Sequence, residues 1–191
     1  LCCSRSGLEI NDESVFEIVL NKIDSYEDWS VILPLSNPRR VAVYGGGHCG
    51  VALANTMYRL DYAVTIVESR TELSTLDGLN SSIKRVITDF RNAPKHIDHH
   101  DDTIAIVMTY SMDSDVEALS GLLDKSFKWI GLMGSKVKIA HIRNKLEQLG
   151  FSELQIKQIL VSIGMGFNSD TPEEIEISIA AKILHERECE N

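Results

Sequence analysis

The sequence predicts an α/β fold built on a doubly wound parallel sheet with a short N-terminal helical segment, and three observations predict it. Short β-branched runs alternate with longer amphipathic segments from Val41 onward. The runs are apolar throughout, as strands covered by helices on both faces must be. The first run passes directly into a glycine-rich turn that opens a helix, which makes the expected version of this class Rossmann-like.

Taking the elements in order, residues 13–23 place Val15, Phe16, Val19, Leu20 and Ile23 at helical spacing, and residues 24–38 carry turn and proline signals. Residues 1–37 therefore read as a helix and linker, or as the remnant of a separate N-terminal domain, and residues 38–191 as the main domain. Strands are expected over 41–44, 64–67, 85–87, 104–108 and 129–132, with helices over 48–60, 113–123, 135–149, 153–160 and 172–185. The last helix has a defined start. Thr171 can cap it, Pro172 suits its first position, and Glu173 and Glu174 complement the positive end of its dipole.

The totals narrow the function classes. A chain of 191 residues with 43% hydrophobic side chains can bury one sizeable core. Its formal net charge of -9 comes from 28 acidic and 19 basic residues spread along the chain, which argues against binding nucleic acid through clustered cations. No apolar run approaches the ~20 residues of a membrane span, and no signal-peptide layout opens the chain, so a soluble, cytoplasmic protein with no membrane association is expected. Cys2, Cys3, Cys49 and Cys189 form neither a disulfide framework nor a CxxC knuckle. The chain begins at Leu1 without an initiator methionine, so a piece of something longer is expected.

The strongest motif is Gly45-Gly46-Gly47-His48-Cys49-Gly50. Gly45 permits the tight turn, Gly47 lets a pyrophosphate approach the backbone, and Gly50 allows helix and strand to pack closely. Glu68 ends the second apolar run, 18 positions after Gly50, where a carboxylate accepts ribose hydroxyls in dinucleotide-binding proteins. That favours NAD. Arg70 either pairs with Glu68 or meets the 2′-phosphate of NADP, and the loop can also keep only the architecture without a ligand. A second anion-binding turn is expected where Ile130-Gly131-Leu132-Met133-Gly134 runs into Ser135, Lys136 and Lys138; its plain alternative is a capped helix with solvated lysines.

Other candidates carry two readings each. His48 is either a ligand contact or a solvent-facing spacer. Cys49, at a helix start, is either a stabilised thiolate or a small buried side chain. His96, His99 and His100, among Asp98, Asp101 and Asp102, show His-x-x-His spacing without a structural-zinc pattern, and no metal site is expected. Asp113 and Asp115 follow Thr109-Tyr110-Ser111 at a strand's carboxyl end, where ligands of open α/β sheets collect, but are expected instead to cap the helix they open. No Ser-His-Asp or Cys-His ordering and no acid–base pair stands out, so no catalytic residue is named.

Several ordered motifs together resemble the C-terminal Rossmann domain of the xanthine dehydrogenase accessory factor family, XdhC/CoxI, from about Pro38 to Leu184. They are Val43-Tyr44-Gly45-Gly46-Gly47-His48; Val67-Glu68-Ser69-Arg70 where Asp-Pro-Arg is usual; Thr109-Tyr110 with Asp115 and Leu119; Gly131 to Lys138; Ile163-Gly164-Met165; and Thr171-Pro172-Glu173-Glu174-Ile175. Tyr110 replaces a frequent histidine, and Ser162 stands where proline is common. The resemblance implies a chaperone-like maturation factor that binds molybdenum cofactor (molybdopterin), supports its sulfuration and passes it to xanthine dehydrogenase or a related molybdenum hydroxylase. It also implies a cysteine desulfurase as partner and a homodimer. Two other functions remain open: an NAD-dependent oxidoreductase, and a nucleotide-sensing Rossmann module that regulates a partner without chemistry.

Overall fold

The apolar run at Val41 becomes the middle of a six-stranded sheet. A computed structural model of the protein describes residues 2–4, 7–9, 30–32, 39–166 and 170–188. The chain divides into two compact units, Leu1–Pro38 and Arg39–Asn191. In the first, short strands β1 (Cys2–Ser4), β2 (Gly7–Glu9) and β3 (Ser30–Ile32) pair antiparallel in the order β2-β1-β3. The helix expected over 13–23 lies outside the described residues.

The second unit runs β4 (Arg40–Tyr44), α1 (His48–Arg59), β5 (Ala63–Glu68), β6 (Lys84–Ile87), β7 (Thr103–Val107), α2 (Met112–Leu123), β8 (Trp129–Leu132), α3 (Lys136–Gln148), α4 (Glu153–Lys157), β9 (Ile159–Val161) and α5 (Pro172–Glu188). Its strands are all parallel, in the order β6-β5-β4-β7-β8-β9. This is a doubly wound Rossmann-like sheet. Alternation along the central strands divides the core in two. Ala42, Tyr44, Ala105 and Val107 face Leu119, Leu122, Ile142 and Leu146 of α2 and α3. Val41, Val43, Ile104 and Ile106 face Leu53, Ala54 and Met57 of α1 and Ile179 and Ile183 of α5. Strands buried on both sides need apolar residues at every position, which is why their runs are unbroken.

The stretch expected as one helix over 153–160 is two elements. Helix α4 starts with a reciprocal capping box between Ser152 and Gln155 and stops at Lys157, and the chain then adds β9 as a sixth strand beside β8. Ile156, Ile159, Leu160 and Ile163 suit either period, and pairing with β8, which local spacing does not encode, decides the outcome. As an edge strand, β9 leaves Leu160 and Val161 exposed. Ser162 then turns with φ 53, a conformation the proline ring forbids.

The caps also differ in part. Thr171 accepts the Glu174 amide at 3.2 Å, and the Glu174 carboxylate accepts the Thr171 and Asp170 amides in return. Helix α2, however, is capped by Ser111, which accepts the Ser114 amide at 3.1 Å, and not by Asp113 or Asp115. Ser111 precedes the first turn and reaches the free amide without entering it.

Gly50 locks α1 against the turn, because a Cβ there would lie 1.9 Å from the Gly45 carbonyl oxygen. Gly50→Ala is expected to cost about 3 kcal/mol by forcing helix and turn apart. Urea denaturation of the purified chain checks this, and an unchanged midpoint would show that the turn can yield.

Candidate functional site

Strand order places the crevice. From β4 the chain crosses to β5 through α1, and it later returns past β4 to β7, so the loops leaving β4 and β7 part company at the sheet's carboxyl edge. Ligands of open α/β sheets bind at such a switch point. The glycine loop occupies it. Gly45 adopts φ +118, donates its amide to the Val67 carbonyl at 2.8 Å, and leaves no room for a Cβ, which would sit 2.4 Å from the Met108 carbonyl oxygen. Gly46 donates to Glu68 Oε2 at 2.8 Å, and the Thr75 hydroxyl donates to the Gly46 carbonyl.

Gly47 is different. It is the N-cap of α1, no side chain caps that helix, and a Cβ at Gly47 would meet nothing within 4 Å. Helix α1 thus starts without a side-chain cap and with free space beside Gly47, as an anion-binding helix start requires. His48 is exposed there. Cys49 is half-buried and packs against the α1 side of the core. Burial pushes its thiol up and the Glu173 charge adds to this, against a hydrogen bond with its own backbone. Cys49 is thus a packed thiol, not a stabilised thiolate.

Glu68 lies beneath this loop with its side chain fully buried. Oε1 accepts the amides of Ser69 at 2.8 Å and Arg70 at 3.0 Å and the Arg70 Nε at 3.0 Å. Oε2 accepts the Gly46 amide and Arg70 Nη2, both at 2.8 Å. Burial alone would raise the carboxyl pKa, but hydrogen bonds from Arg70 and Gly46, with the Arg70 charge, override it and hold it down at about 2. The guanidinium also lies over the Tyr110 ring, its Cζ 4.4 Å from the ring centroid. Of the two sequence-level readings of Arg70, the structure shows the pairing with Glu68.

The second turn is organised inward. Ser135 accepts the Lys138 amide at 3.3 Å and so caps α3. Lys138 Nζ lies 2.5 Å from Asp115 Oδ2, outside hydrogen-bond geometry, and donates to the Met133 carbonyl at 3.3 Å. Asp115 is fully buried, and its Oδ1 accepts the Thr109 amide and hydroxyl at 3.0 and 2.6 Å. Lys138 therefore ties α3 to α2 and the loop after β7. Asp113 instead pairs at the surface with Lys145. A Cβ at Gly134 would meet the Lys138 side chain at 2.8 Å.

The fold thus gathers Gly45, Gly46, Gly47, His48, Gly50, Glu68 and Arg70 at the switch point, with Gly134, Ser135 and Lys138 on the loop after β8. Tyr110 joins the first group through its stack on Arg70, a contact across forty positions that no local spacing signals. The histidine cluster is placed elsewhere, before β7. His100 Nε2 hydrogen-bonds the Pro94 carbonyl at 2.7 Å, and its ring lies 4.9 Å from that of Phe127. Among the described residues, no three His, Cys, Asp or Glu side chains converge as a metal-ligand set, and no helix is long and apolar enough to cross a membrane.

Comparison with known proteins matches residues 41–183 to a family described as the XdhC Rossmann domain. An uncharacterized protein of Escherichia coli, YqeB, is 26% identical over 146 residues, covering 76% of this chain and 27% of its own. A protein of Bacillus subtilis named as a probable subunit of xanthine dehydrogenase is 24% identical over 155 residues, covering 78% of this chain and 43% of its own. The chain thus spans less than half the length of either curated relative. A crystal structure described as a xanthine dehydrogenase from Bacillus halodurans superposes with a TM-score of 0.67 at 21% identity, over 89% of this chain and 49% of that one. At that identity the likeness concerns the fold.

The Glu68 clasp makes an acid-stability prediction. Its carboxyl is depressed from 4.5 to about 2, so its contribution is complete above the unfolded value and disappears as pH falls from about 5 toward 2. The contribution is about 3 kcal/mol, and Glu68→Gln should remove this pH-dependent component while weakening the fold at neutral pH. Urea unfolding of both proteins across that range tests it; parallel curves would show that Glu68 is not held as described.

Proposed function

This chain belongs to the XdhC Rossmann domain family, and from that membership we propose that it is an accessory factor in the maturation of a xanthine dehydrogenase-type molybdenum hydroxylase. In this reading it binds molybdenum cofactor or a nucleotide at the turn from Gly45 to Gly50. The observation that carries the binding site is the bare start of α1 at Gly47, open to a phosphate and free of any capping side chain. The name of the Bacillus subtilis relative supports xanthine dehydrogenase as the client.

The residues present fit the phosphate of a pterin cofactor. The amides that follow Gly47 would hold it, with exposed His48 beside them and the exposed part of the Arg70 guanidinium offering further N–H donors. Bound there, the cofactor would bring the redox-active metal that the client enzyme uses. The chain's own residues bind and orient. Glu68 is neutralised by Arg70 and Asp115 by Lys138, so neither carboxylate is left as a general base, which favours holding and hand-over above turnover. A cysteine desulfurase as second partner and a homodimeric assembly rest on the family resemblance alone.

Gly47→Asp separates folding from binding. Aspartate is a favoured N-cap and nothing crowds that position, so stability should hold or rise. Its carboxylate would occupy the α1 amides and repel a phosphate, so activation of the cofactor-free client by the chain and purified molybdenum cofactor should fall about tenfold or more. Undiminished activation by the variant, or none by the natural chain, would overturn the proposal.

A further inference from the structure

We propose that Arg70 and Tyr110, held in place by Glu68, are the specificity element of the crevice: they favour a planar heterocycle carrying a phosphate monoester and disfavour a dinucleotide with a free 2′-hydroxyl. The inference rests on reading the crevice as a ligand site, but not on maturation of any client.

From the sequence, Glu68 is expected to accept a ribose diol, which needs free lone pairs. An ionised carboxylate offers about four acceptor positions. Glu68 already receives five donors at 3.0 Å or less: the amides of Gly46, Ser69 and Arg70, and Nε and Nη2 of Arg70. Its side chain has no exposed surface. A ribose would have to displace a bidentate, charge-assisted pair together with an amide of the glycine loop.

What the crevice presents instead is the guanidinium. The Arg70 side chain is 38% exposed, with Nε and Nη2 turned to Glu68. A free carboxylate here would repel a 2′-phosphate, whereas a neutralised carboxylate beneath an exposed arginine attracts one. Tyr110 is 58% exposed and stacks on Arg70, which adds an aromatic surface next to the guanidinium. Charge and ring together match a heterocycle whose phosphate is a monoester, the chemistry shared by a 2′-phosphoadenosine and a pterin phosphate.

Calorimetric titration of the full chain with NADP⁺, NAD⁺, 2′-AMP and adenosine tests this. NADP⁺ should bind about tenfold or more tighter than NAD⁺, and 2′-AMP tighter than adenosine by a similar factor. Arg70→Leu should erase both ratios. Because that variant strands a buried carboxylate, Arg70→Lys is the companion: it keeps the charge and loses the fork, so the ratios should shrink. Tyr110→Leu, at an exposed position, should weaken NADP⁺ and NAD⁺ alike and leave their ratio. Equal or tighter binding of NAD⁺, ratios untouched in Arg70→Lys, or no binding of NADP⁺ and 2′-AMP would each overturn the proposal. Failure of client activation with the ratios intact would sink the maturation reading alone, and the converse would sink only the selectivity.

Discussion

A single carboxylate joins the parts of this site that chain order keeps apart. Glu68 is the last residue of β5, yet its oxygens hold an amide of the loop after β4, two amides of its own turn and a guanidinium that lies against the loop after β7. Because the group is buried, each of these donors is worth more than it would be in water, and leaving the charge unmatched would be costly. The glycine loop is held from below, and its upper side at Gly47 stays open. Arg70 is held from one side and remains exposed on the other.

The same division recurs one loop along. Asp115 is buried against Thr109 and Lys138, and the lysine that looks like a free cation in the sequence spends its charge on joining α3 to α2. Two acid–base pairs thus brace the carboxyl edge of the sheet, one under each loop that flanks the switch point. Bracing of this kind suits a scaffold that presents a ligand in fixed geometry. It also commits both carboxylates to ion pairs with Arg70 and Lys138.

The family match covers residues 41–183, and the matched stretch makes up less than half of each curated relative. The Rossmann unit is therefore one component in those relatives. In this chain the uncapped start of α1, the Glu68 hydrogen bond to the glycine loop and the Lys138–Asp115 pair all fall within residues 45–138.

How much was legible in advance depended on the range of the interaction. Parallel strands buried on both faces betray themselves as unbroken apolar runs, and Gly45, Gly47 and Gly50 announce a strand-to-helix turn because their spacing is imposed within six residues. Fold class, the order of the main elements, the Thr171 and Ser135 caps and the place of the glycine turn could therefore be read from the chain. Pairing partners could not. Whether residues 159–161 finish a helix or add a strand depended on the free edge of β8. Whether Glu68 meets a ribose or an arginine depended on the turn of the next two residues, and whether Tyr110 lies near Arg70 depended on two loops converging across the sheet. A side chain's type is written in the sequence; which charge it spends itself on is set by the neighbours that folding brings within about 3 Å, and those come from distant parts of the chain.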